Sequence, residues 1–128
     1  MKGKIKEILE ANTAIQYMDV QGGAPFKVVR NLSKLRTALS DEVKIAGEQN
    51  ERLLKEYGGK PTNEMVISFP DVESRKKFEK AWEDVLDTEV EIDLDRLDLS
   101  AFADNIIFHN TNVDVDALST FIDFDGEK

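Results

Sequence analysis

From Pro25 to Gly58 the apolar residues fall at Val28/Val29, Leu32, Leu35, Leu39, Val43, Ala46, Leu53 and Tyr57. These steps of three and four make a heptad-like seam along one helix, opened by a proline and closed by Gly58-Gly59. Pro25 suits the first turn, where its missing N–H would have no intrahelical partner. Asn50 is the one polar residue on the seam, between Ala46 and Leu53. An amide at such a site either fixes register and partner number or marks where the seam leaves a core. A helix far longer than the average of about 11–12 residues needs a long partner, in its own chain or in another copy. Leu39, Val43, Ala46, Asn50, Leu53 and Tyr57 are therefore the expected partner-binding residues.

The pattern on either side predicts shorter elements. Ile5, Ile8, Leu9 and Ile15 line one side of a first helix from Lys4 to about Val20, where Asn12-Thr13 marks a bend or restart. Gln21-Gly22-Gly23-Ala24 is its turn, so the two helices should form an antiparallel hairpin. The breaker cluster Gly58 to Asn63 divides this half from the rest. Met65 to Phe69 is a β-branched and aromatic run stopped by Pro70, which predicts a strand. Asp71 is an N-cap residue, and Phe78, Ala81, Trp82, Val85 and Leu86 form one face of a helix to about Leu86, with Trp82 anchoring a core. From Thr88 the period becomes two, with Val90, Ile92 and Leu94 on one side and Glu89, Glu91, Asp93 and Asp95 on the other. Strand, helix and strand in succession suggest a small βαβ-like unit, in which the two strands would run parallel if adjacent. Ile106 to Phe108 adds a third strand or an apolar plug, and Asp116 caps a terminal helix through Ala117, Leu118, Phe121 and Ile122. Asp123 to Lys128 should fray.

The expected fold class is thus α+β in a single domain of 128 residues: a helical hairpin over 1–59, strand-helix-strand over 64–95, and an acidic C-terminal segment over 96–128. Charge sharpens that division. The net charge is −9, but residues 1–80 carry 15 Lys/Arg against 12 Asp/Glu, while residues 81–128 carry 2 against 14. An acidic end disfavours phosphate backbones, so direct nucleic-acid binding is not expected; it attracts a basic partner, imitates nucleic acid, or simply keeps the chain in solution. The exposed ladder Glu89, Glu91, Asp93, Asp95 has the same two readings, a docking surface or a face that protects a sheet edge. There is no cysteine, which removes disulfides and thiolate metal sites. No run approaches the roughly 18–20 apolar residues of a membrane span, and Met1-Lys2-Gly3-Lys4 precedes no signal-peptide core, so a cytoplasmic location is expected.

Candidate chemistry is thin. His109 is the only histidine, and neither Ser100 nor Ser119 lies in a nucleophile-elbow context. Asn110, Asn112, Asp114 and Asp116 alternate like calcium-loop ligands, but Ala117 stands where the loop's glycine is required, and turn chemistry explains the same residues. No glycine pattern cradles a phosphate. The expectation is a non-enzymatic protein with no catalytic residue, metal or cofactor.

The order of parts resembles a family of small bacteriophage and prophage proteins of unassigned function. The resemblance rests on the Gly-Ala-Pro turn before a long helix, Leu53 to Gly58 at its end, the Thr88 to Asp93 strand and the closing Asp116 to Ile122. It implies a phage setting, in the host cytoplasm or with the virion, and transfers no site residues. The expected function is an interaction or structural protein that self-associates or docks a protein partner through the long helix. The alternative is an acidic nucleic-acid mimic that inhibits a basic host protein.

Overall fold

In the computed structural model, which describes residues 1–110 and 112–126, the long helix is the axis of the fold. Helix α2 spans Phe26–Tyr57 without a break, about 48 Å at 1.5 Å per residue. Pro25 precedes it, its carbonyl accepting from the N–H groups of Val28 and Val29. Gly58 ends it in the left-handed conformation at φ 73°, which glycine adopts without a Cβ penalty.

The first helix, α1 (Ile5–Ile15), is shorter than its sequence pattern suggests. The Thr13 hydroxyl bonds back to the Leu9 carbonyl, and the helix runs through that point without a restart. Met18–Val20, expected as helix, is instead strand β2 and pairs antiparallel with Ile106–Phe108 (β7). Helix α3 (Val72–Leu86) matches its expected bounds, capped by the Asp71 carboxylate, which accepts from the Ser74 N–H at 2.7 Å.

The class is mixed α+β, and strand, helix and strand succeed one another over 67–91, but the two strands are not adjacent and do not pair. The remaining strands are β1 (Lys2–Lys4), β3 (Lys60–Pro61), β4 (Ile67–Ser68), β5 (Glu89–Glu91), β6 (Leu97–Asp98) and β8 (Ile122–Asp123). They form two-stranded ribbons: β1 with β5, β2 with β7, β3 with β4 and, in parallel, β6 with β8. The strands flanking α3 never meet, because β5 finds its partner at the chain's first residues and β4 finds its own in the hairpin behind it. Residues 114–122 differ as well. Asp114, not Asp116, caps a single 3-10 turn over Val115–Leu118, after which Phe121 is buried and Ile122–Asp123 enters strand β8. Asp123, expected to fray, accepts from the N–H groups of Asp125 and Gly126; Glu127 and Lys128 lie outside the described residues.

One core unites these parts. Ile8, Ala11 and Ile15 of α1 pack with Leu32, Leu35, Leu39 and Ala46 of α2 and with Ile92, Leu97, Leu99, Leu118, Phe121 and Ile122. Trp82, Val85 and Leu86 of α3 close over it half-buried; no residue of α3 is fully buried. The C-terminal segment is held as a strap. A Cβ added to Gly3 would stand 2.8 Å from the Phe121 ring, and the Arg96 guanidinium donates to the Ser119 and Ile122 carbonyls. The Thr120 hydroxyl donates to the Glu7 carboxylate, which also accepts the Lys4 N–H at the start of α1. Those two bonds, the backbone one foremost, hold the Glu7 carboxyl below its ordinary range because both favour the ionised form.

Candidate docking surface

The buried part of α2 reaches only as far as Ala46 in the main core. Beyond it the helix runs on for roughly three more turns to Gly58, and α3 starts from that far end and returns along α2 to the body. Between them the chain makes a hairpin that is the far tip of the molecule. Its anchoring is local: the position of a Cβ on Gly59 would be 2.7 Å from Leu54, 2.9 Å from Phe69 and 3.1 Å from Ile67, so only glycine lets the hairpin lie on the last turn of α2. The Phe69 ring stands 5.3 Å from that of Phe78 on α3, an aromatic contact worth about 0.5–1.5 kcal/mol beyond its area.

The hairpin loop is Asn63-Glu64-Met65, closed by Met65 N–H to the Thr62 carbonyl and Thr62 N–H to the Val66 carbonyl. This geometry requires a left-handed residue at its third position, normally glycine or asparagine. Met65 occupies it, at φ 61°. A long apolar side chain there carries a strain of about 1–2 kcal/mol and gains nothing from burial, since Met65 is 97% exposed. Val72 at 68%, Val66 at 58% and Ile67 at 38% exposure surround it in sequence. Val66, Ile67, Phe69 and Val72 also wall an open groove of about 750 Å³ between the hairpin and the first turns of α3, with Glu64 and Arg75 among its polar residues. Solitary exposed apolar residues are ordinary; here several converge on one groove.

The residues singled out from the sequence are placed differently. Leu39 and Ala46 are buried in the monomer's own core and Leu53 is buried beyond it, while Val43, Asn50 and Tyr57 are half-buried. The seam is covered within the chain, by α1 and by the α3 face carrying Trp82, Val85 and Leu86. Self-association through its centre would require opening the fold. The apolar signal at the tip was visible in Met65 to Phe69, but a β-rich run reads as a buried strand until its pairing shows only two residues in the ladder.

The acidic ladder keeps its expected orientation. Glu89, Glu91, Asp93 and Asp95 are all exposed, with Ile92 buried and Val90 and Leu94 half-buried behind them. Glu89 lies 3.9 Å from the Lys2 ammonium and Glu91 3.4 Å from the amino group of Met1. His109, exposed at the end of β7, has its Nε2 3.8 Å from an exposed Asp19 oxygen across the ribbon. The Asn110 and Asp114 side chains accept from the N–H groups two residues on, which is turn chemistry; Thr111 between them lies outside the described residues. Among the described residues no three His, Asp or Glu side chains converge as an ion site, and no helix is long and apolar enough to cross a membrane. No family model, curated protein or solved structure matches the chain.

Proposed function

We propose that the chain is a non-enzymatic interaction protein that presents its hairpin tip to a protein partner, with α2 as the strut that carries the tip away from the body. The observation that carries this reading is Met65, a strained and almost fully exposed methionine beside a groove walled in part by Val66, Ile67, Phe69 and Val72. A fold optimised only for its own stability would place glycine there. The docking role expected of the long helix is kept, but it moves from the seam centre to the end beyond Leu53. A phage or prophage setting, with a cytoplasmic or virion location, belongs to the same reading and rests on the resemblance in arrangement.

Because the chain has no cysteine, a single thiol can report on each surface. Met65→Cys and Ile45→Cys, the latter on an exposed position of α2, are each labelled with a photocrosslinker and irradiated, purified and in extract. Protein crosslinks from position 65 and not from position 45 support the reading. Equal yields, or none from position 65, contradict it.

The second reading, an acidic mimic, is favoured by the exposure of Asp93 and Asp95 beside Glu89 and Glu91. Its signature is capture of a basic protein that weakens steeply as salt is raised, whereas docking through the apolar tip is nearly insensitive to salt.

A further inference from the structure

Resting on the tip-docking reading, we infer that the occupant of the groove is a second copy of this chain, paired antiparallel across the outer edge of β4 about a two-fold axis at Ile67. The hairpin register makes its two edges unequal. Lys60 pairs with Ser68 and Pro61 with Ile67, and the Thr62 N–H bonds the Val66 carbonyl. Ile67 and Pro61 therefore sit at a non-hydrogen-bonded position, where backbone groups point out of the ribbon. On the β3 side the outward group is Pro61, which has no N–H to offer and blocks strand addition. On the β4 side it is Ile67, whose N–H and C=O are both available to an added strand.

Self-pairing satisfies that edge and matches the groove. A two-fold at Ile67 lets each Ile67 exchange both backbone bonds with its counterpart in the other copy. It sets Met65 of one copy opposite Phe69 of the other, beside Val72. Met65 does not line its own groove, whereas Phe69 and Val72 do, so each chain carries the knob that the other lacks. The same operation brings Glu64, at the loop end of one groove, towards Arg75 at the helix end of the other, which places opposite charges together. One isologous contact of this kind closes at two copies and leaves the acidic ladder unused. The patch is small, so the dimer is weak, with dissociation in the micromolar to millimolar range, of order 10 μM to 1 mM.

The test is sedimentation of the full chain over a concentration series, with Ile67→Pro and Met65→Gly as variants. Proline at Ile67 removes an N–H that the hairpin does not use, together with an aliphatic side chain that packs beside Gly59. The parent is expected to show a monomer–dimer equilibrium, and each variant to weaken it at least tenfold while remaining folded, Ile67→Pro with a slightly lower unfolding midpoint and Met65→Gly with a raised one. In parallel, the Ile67 amide of the parent is expected to exchange more slowly as concentration rises, a readout that survives if the proline variant fails to fold. A parent that stays monomeric to about 1 mM, open-ended oligomers, or an Ile67→Pro variant that dimerises like the parent would overturn the self-pairing. Crosslinks from position 65 to another protein, with a monomeric parent, would retain tip docking and reject only the second copy as occupant.

Discussion

The body and the tip use the same kinds of residue in opposite ways. In the body, Ile8, Leu35, Leu39, Leu118, Phe121 and Ile122 are fully buried, contributed by elements scattered from one end of the chain to the other. At the tip, Met65, Val66, Ile67 and Val72 leave much of their surface in water, and the local fold is held by Gly59, the Phe69–Phe78 contact and the Asp71 cap. Burying a large aliphatic side chain contributes about 1.5–3 kcal/mol. The body collects that free energy residue after residue, and the tip forgoes most of it within the chain.

The contrast predicts effects of unequal size. Phe121→Ala empties a fully buried ring site between Gly3 and the core and should cost about 3–5 kcal/mol in urea unfolding, releasing the strap from α1. A loss below about 1 kcal/mol would mean that the strap is not part of the core. Glu7→Gln should have a smaller effect, about 1 kcal/mol at most, because its carboxylate is partly solvated. Its pH dependence is the sharper test. A carboxyl held below its ordinary range contributes stability that is fully present above that range and is lost as pH falls through the lowered value. The parent–variant difference should therefore be largest near neutrality and close on acidification; a difference that grows in acid would contradict the Lys4 and Thr120 contacts.

At the tip the signs change. Asp71→Ala should lower the unfolding midpoint slightly through loss of the α3 cap, while Asp71→Asn, which keeps a capping oxygen, should restore most of it. Met65→Gly should raise stability by about 0.5–1 kcal/mol, since relief of the left-handed strain outweighs the glycine's extra freedom in the unfolded chain. Removing a large apolar side chain thus stabilises the tip where it would wreck the body. A destabilised Met65→Gly would show that the methionine is packed.

Local features were the legible part of the fold. Pro25 and Gly58 bound α2 because they act on their own backbone, and Asp71 starts α3 for the same reason. The alternation from Thr88 showed which side of β5 faces in, and Glu89, Glu91, Asp93 and Asp95 are exposed accordingly. Partner choice was not legible. Lys2-Gly3-Lys4 has no strand-like pattern, yet it is the partner of Glu89–Glu91, with the Phe121 ring filling the space over Gly3. A strand next to a helix in sequence looks like βαβ until such remote pairing excludes it. Asp116 looked like the cap of the closing segment, and only backbone geometry gives that place to Asp114. At the docking surface, Leu39 and Ala46 looked like partner-binding residues because sequence cannot say that α1 and α3 cover both sides of one seam.

Urea unfolding of Val66→Asp/Val72→Asp, beside the parent, measures most directly whether the tip's apolar surface is spare. Both side chains are exposed, and Asp at the first position of α3 is compatible with the helix dipole. The double variant's unfolding free energy should lie within about 0.5 kcal/mol of the parent's, whereas Leu39→Asp, placed in the buried body, should not fold. A double variant that loses several kcal/mol, as a core substitution does, would contradict the claim that the tip is a surface held open for a partner.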